Sequence, residues 1–166
     1  MSFFKNLLQK INSLVEYIVC ALLTVMVVVV FLQVIFRFVL HSSLPWSEEL
    51  SRYLMVWIVF LGAGIGVMKK SHIGVEALVI LLPDNLQKWT AVLVNALCCV
   101  FFAFMIQYGS LILKVVGRQL SPAMEISMAI PYSALLAGGA LMFAHCFFQM
   151  VEQAAEALSA RAVKSS

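Results

Sequence analysis

Charge is what this sequence has least of. Of its 166 residues only 11% are Asp, Glu, Lys or Arg, against 63% hydrophobic, and the mean hydropathy is +1.02. Soluble globular domains carry roughly a quarter charged residues, so that class is excluded and the chain reads as an integral membrane protein. Long polar stretches are missing too, which leaves no room for a separate soluble domain. No acid or lysine falls at the centre of an apolar block, where a coupling site for protons or ions is expected; Glu16 comes nearest, toward one end of the first block. The four cysteines, Cys20, Cys98, Cys99 and Cys146, lie inside apolar blocks and lack the C-x-x-C spacing of a redox centre. They are expected to serve as small apolar residues. Haem ligation needs two axial groups at matching depth, and His145 has only His72 on its side of the membrane, so no haem is expected.

What is present is four apolar blocks, residues 15–40, 50–68, 89–116 and 122–151. Each is long enough, or nearly so, for a hydrocarbon core that takes about 20 helical residues. The expected fold is all-α, four transmembrane helices with short loops over residues 1–151, followed by a polar tail over 152–166. The first run exceeds the roughly 7 to 15 residues of a cleavable signal and leads into Gln33 and Arg37, so it is expected to stay as the first span. Before it, Phe3, Phe4, Leu7, Leu8, Ile11 and Leu14 are spaced three and four apart with lysines between them. That spacing suits an amphipathic helix lying along the membrane, or else the wet first turns of span one; the amphipathic reading is preferred.

Lysine and arginine set orientation. Lys5, Lys10, Lys69, Lys70, Lys88, Arg161 and Lys164 fall on the side of the N-terminus and Arg37, Arg52, Lys114 and Arg118 on the other. With an even number of spans, both termini are expected on the cytoplasmic side of an inner membrane.

The densest polar chemistry is in residues 44–66, L-P-W-S-E-E-L-S-R-Y-L-M-V-W-I-V-F-L-G-A-G-I-G. Pro45 suits a first helical position, Ser47 a cap, and Glu48 and Glu49 the positive end of a helix dipole. Glu48 and Arg52 are spaced for a pair on one face, and Trp46, Tyr53 and Trp57 mark the headgroup level. Arg37 and Arg52 fall at similar depth across the hairpin, so a two-arginine, two-acid rim cluster is expected with Glu48 and Glu49. It is either a locally neutralised hairpin or a surface offered to another membrane subunit. Gly62 and Gly66 form a small-x-x-x-small pair for close helix contact, within the chain or across to a partner. Beyond them Lys69, Lys70, His72 and Lys88 flank a short apolar run over 77–82, expected to be an interfacial segment on lipid headgroups, with His72 making a single hydrogen bond.

In the third block Asn95 is expected to be buried, Gln107 to bond a neighbouring helix and Lys114 to reach the outer headgroups, the alternative being that this polar face meets a partner. Ser121 and Pro122 read as the start of the fourth helix, with Glu125 in its first turn, a kink at Pro131 and a smooth face at Ala137, Gly138, Gly139, Ala140 and Ala144.

The ordered set Arg37, Trp46-Ser47-Glu48-Glu49, Arg52, Trp57, Gly62-Ala63 and His72-Ile73-x-Val75 before an acid resembles the small membrane subunit of tripartite ATP-independent periplasmic (TRAP) transporters. The resemblance covers residues 15–150 and departs in having Glu76 where aspartate is usual and Lys69-Lys70 where arginine is common. It implies a non-enzymatic subunit that braces a large membrane transport subunit, fed with an organic acid by a periplasmic solute-binding protein. No cofactor is expected on this chain, sodium being expected on the large subunit, and its remaining partners would be membrane lipids and no nucleic acid. Sialic acid and C4-dicarboxylates are the first candidate solutes. Two rival readings stand beside it: a self-sufficient small multidrug-type exporter using Glu16, and a membrane thiol oxidoreductase using paired cysteines.

Overall fold

The structure, a computed structural model, describes residues 2–69 and 84–164, with side chains described over 8–69, 87 and 89–155. Among the described residues there are four helices: α1 (Ser2–Phe38), α2 (Pro45–Met68), α3 (Asp84–Val116) and α4 (Ala129–Lys164). All four hold stretches long and apolar enough to cross a membrane, namely Leu8–Phe38, Pro45–Met68, Trp89–Val116 and Ala129–Ala155. The helix is what such runs must adopt, because no water in the hydrocarbon core is available to satisfy free backbone groups. Among the described residues no strand forms, only an isolated antiparallel bridge between Leu120 and Ser127.

The helices make a row rather than a closed bundle: α1 packs on α2, α2 on α4, and α4 on α3. Its hub, α4, has 33% of its most apolar window buried, against 6% for α1. Neighbouring chain segments run antiparallel, while α2 and α4 run parallel, Phe60 meeting Gly138 and Val67 meeting Gln149. Val67, Cys99, Phe102, Met142 and Cys146 form the core where α2, α3 and α4 converge. Cys99 and Cys146 thus pack as apolar residues, as their setting in the sequence suggests.

Glycine permits this close approach. A Cβ built at Gly138 would lie 2.6 Å from the Phe60 carbonyl oxygen, and one at Gly139 would lie 2.7 Å from the Met105 methyl. At the helix ends polar side chains take over. Asn95 Nδ2 donates to Gln153 Oε1 at 2.9 Å and Gln149 Nε2 donates to the Val67 carbonyl at 2.9 Å. Replacing Asn95 with alanine removes one interhelical bond; thermal unfolding in detergent should show a loss on the order of 0.5–1 kcal/mol. No shift would mean that the α3–α4 contact does not depend on it.

Three expectations need correction. The stretch before span one is continuous with α1, an unbroken helix of 37 residues, rather than a separate in-plane helix. Span four begins at Ala129, not at 122. Residues 117–128 instead close on themselves, with the Ser121 amide donating to the Ile126 carbonyl, the Met128 amide to the Gln119 carbonyl, and Glu125 at φ 53°. The later start has a physical reason. Pro131 then falls in the first turn, where its missing N–H deprives no intrahelical bond, so α4 escapes the kink that a start at 122 would have imposed. Finally, Gln107 is exposed and bonds no neighbouring helix among the described residues, whereas Lys114 is exposed in the last turn of α3. At the other end α4 carries the polar tail onward as helix to Lys164.

Candidate partner-docking rim

The loops joining α1 to α2 and α3 to α4 lie at one end of the row, and here the expected charged cluster separates into parts. Pro45 opens α2 after an extended Leu44 that makes no side-chain cap. Ser47 is fully buried and its hydroxyl donates back to the Leu44 carbonyl at 2.7 Å, so it ties down the turn before the helix rather than capping the next one. Glu48 and Arg52 do pair, at 3.8 Å, with both side chains about two-thirds exposed (70% and 67%). Such a surface pair contributes little to stability, which leaves it available for other contacts.

Glu49 turns the other way. It is 6% exposed, and its Oε2 accepts from the amides of Met124 at 2.8 Å and Ala123 at 3.2 Å. One carboxylate therefore clamps the α3–α4 connection onto the start of α2. Beside it the Tyr53 hydroxyl donates to Met128 Sδ at 3.3 Å and Trp57 Nε1 donates to the Ile130 carbonyl at 3.2 Å. Trp57 is thus a strut between α2 and α4, while Trp46 remains exposed. Arg37 does not join the cluster: its guanidinium sits 5.9 Å from the centre of the Phe38 ring, and no carboxylate pairs with it among the described residues. The two-arginine, two-acid cluster expected from the sequence is therefore not formed, since Glu49 is consumed internally and Arg37 stays on α1.

Gly62 and Gly66 face open space, with nothing within 4 Å of a Cβ built at either. The internal contact instead uses Gly64, where a built Cβ would lie 2.5 Å from a Leu141 methyl. At 100° per residue, Glu48, Arg52, Met55, Val59, Gly62 and Gly66 share one side of α2. Met55 and Val59 are exposed, so this is a continuous uncovered stripe with an ion pair at its rim end and small residues at the other. On the adjoining side, between α2 and α4, lies a cleft of 520 Å³ whose lining includes Glu49, Arg52, Tyr53, Val56, Phe60 and Leu135.

At the opposite end of the row, Lys69 pairs with Glu16 at 2.8 Å, and Asn12 Nδ2 donates to the same carboxylate at 3.3 Å. Lys69 thus meets a carboxylate of α1, and Glu16 is neutralised by it. Lys70, His72 and the interfacial run over 77–82 lie outside the described residues, as does the side chain of Lys88. The loop amides held by Glu49 and the Gln149 and Gln153 bonds were missed in the sequence. The spacing of Pro122 and Pro131 was the one local sign that 122–128 is a loop.

Four apolar helices long enough to cross a membrane, joined by a few interhelical hydrogen bonds and with uncovered apolar faces on their outer sides, define a multi-pass membrane protein. Residues 26–156 match the family described as tripartite ATP-independent periplasmic transporters, DctQ component. The chain belongs to that family, whose members are bacterial transporter subunits and not enzymes. It is 31% identical to the C4-dicarboxylate TRAP transporter small permease protein DctQ of Vibrio cholerae, over 66% of this chain and 47% of that protein. It thus spans about half the length of that relative. A putative TRAP transporter small permease protein of Haemophilus influenzae is 29% identical over 84% of this chain and 87% of its own length. The sialic acid TRAP transporter permease protein SiaT of Haemophilus influenzae is 32% identical over 61% of this chain, a match to 17% of that longer protein.

Proposed function

We propose that this chain braces the large membrane subunit of a sodium-coupled importer of organic acids, and that the exposed side of α2 is where the two subunits meet. The uncovered stripe from Glu48 to Gly66 is the observation that carries the reading. Its apolar middle needs no polar partner, its glycine end admits a second helix backbone closely, and its rim pair fixes register. Arg37 and Trp46 stand exposed at the same rim and extend the surface toward α1. The match of this chain to a 17% segment of SiaT, which is named as a permease protein, supports a permanent association with a larger permease. Sodium and solute are handled by the large subunit, and a soluble binding protein delivers the solute. The names of the relatives make C4-dicarboxylates or sialic acid the first solutes to try.

The same geometry disfavours a self-sufficient exporter, because Glu16 is held by Lys69 and Asn12 at one end of the span. Lysine and arginine placement supports cytoplasmic termini, with Lys69, Lys70, His72 and Lys88 toward the inner headgroups.

Gly62→Leu and Arg52→Ala should each lower co-purification of the large subunit in mild detergent several-fold while leaving this chain monodisperse. Full recovery of the large subunit with both variants would remove the stripe from the interface. The chain alone in vesicles with sodium supplied outside is expected to take up no organic acid; uptake would end the bracing reading.

A further inference from the structure

The cleft between α2 and α4 has a shape and polarity gradient that the bracing role does not explain. It runs along α2 from Glu49 to Phe60, about 16 Å at 1.5 Å per residue. That is close to half of the roughly 30 Å hydrocarbon thickness, the depth of one leaflet. Its volume of 520 Å³ lies within the span of about 300–1,000 Å³ typical of small-molecule sites. Arg52, Glu49 and Tyr53 stand at the rim end, and Val56, Phe60 and Leu135 line the inner end. A partner helix is a poor occupant: it is about 10–12 Å across and traverses the whole membrane, whereas the cleft stops near the midplane.

We infer that this cleft holds one acyl chain of a phosphatidylethanolamine-type lipid, with the lipid phosphate on Arg52 and its ammonium toward Glu48, the exposed acid paired with Arg52. Charge decides the headgroup. Arg52 is largely exposed and only loosely paired with Glu48, so several of its five N–H donors remain for phosphate. One cation stands beside two carboxylates, so a second anion without a compensating ammonium would be repelled, and an anionic lipid such as phosphatidylglycerol fits less well. The bound lipid would fill a gap beside the α2 stripe and stiffen the α2–α4 contact there.

The test uses the full chain in mild detergent, incubated with equimolar phosphatidylethanolamine and phosphatidylglycerol, repurified and weighed by native mass spectrometry. One phosphatidylethanolamine per chain is expected. Losing a charge-assisted contact in Arg52→Gln should lower its occupancy roughly tenfold. Val56→Trp, which fills the cleft, should lower it similarly. Arg52 is on the surface, so R52Q keeps the test decisive even if V56W does not fold. No retained lipid, equal retention of the two lipids, or unchanged occupancy in R52Q would overturn the inference. So would efficient cross-linking of Val56→Cys to the large subunit with no lipid retained. The lipid-retention measurement itself needs no large subunit, so its outcome is independent of the bracing proposal.

Discussion

Gly138→Ala is expected to destabilise the chain by about 1–3 kcal/mol, the usual range for overpacking a tight contact. The added Cβ would lie 2.6 Å from the Phe60 carbonyl oxygen and 2.8 Å from its carbonyl carbon. Those atoms belong to the α2 backbone and cannot rotate away, so the helices themselves must separate. Two of the three α2 glycines, Gly64 and Gly62, supply the internal comparison. At Gly64 the obstruction is a Leu141 methyl, the far end of a side chain that can change rotamer, so Gly64→Ala should cost less. At Gly62 nothing lies within 4 Å, and alanine should be tolerated with little change. Thermal unfolding of the three variants in one detergent checks the order. Equal behaviour of Gly138→Ala and Gly62→Ala would show that α2 and α4 are not in backbone contact.

Glu49→Ala should release the α3–α4 connection. Both loop amides that it holds, Ala123 and Met124, donate to the same oxygen, Oε2. Alanine deletes that acceptor, and the apparent melting point in detergent should fall by roughly 5 °C or more for a chain of this size. Glutamine can keep a carbonyl oxygen in the same place and loses only the assistance of charge, so Glu49→Gln should fall by less. Glu48→Ala, one residue earlier but facing outward, should leave the melting point unchanged. A cysteine placed at Ala123 reports on the loop directly: its labelling by a water-soluble maleimide should speed up in the Glu49→Ala background. Unchanged labelling and melting would mean that the carboxylate does not hold the loop. The clamp also borders the cleft and the rim that the bracing proposal uses, so a released loop should disturb partner binding secondarily. Glu48→Ala separates that indirect effect from a direct one, since it alters the stripe without touching the loop.

These contrasts separate what helix spacing dictates from what packing decides. Glu48 and Arg52 were paired correctly because four residues along a helix bring two side chains to one face whatever surrounds it. Glu48 and Glu49 looked alike in sequence, yet adjacent helical positions point about 100° apart. Only the place of the α3–α4 connection makes one of them buried and the other exposed. The glycines divide the same way. Gly62, Gly64 and Gly66 were all legible as small residues, but the side of α2 that meets Leu141 selects Gly64 and leaves the other two open. Lys69 read as a headgroup contact because its partner Glu16 is distant in sequence. Pro122 promised a helix start, and the loop around it found its bonds in Glu49 and in its own carbonyls instead.

The sequence by itself determined the solvent and the fold class, because apolar runs of this length have no stable place in water and, in lipid, must close their hydrogen bonds within each helix. It also determined the local pairs, whose spacing is set by the helical repeat. The order of the helices in the row, the inward turn of Glu49, the late start of α4 and the cleft beside Arg52 were decided only by tertiary structure. Each depends on which of several similar helix faces meets a neighbour, and between helices in an apolar medium that choice rests on close packing of small residues rather than on any pattern of hydrophobicity.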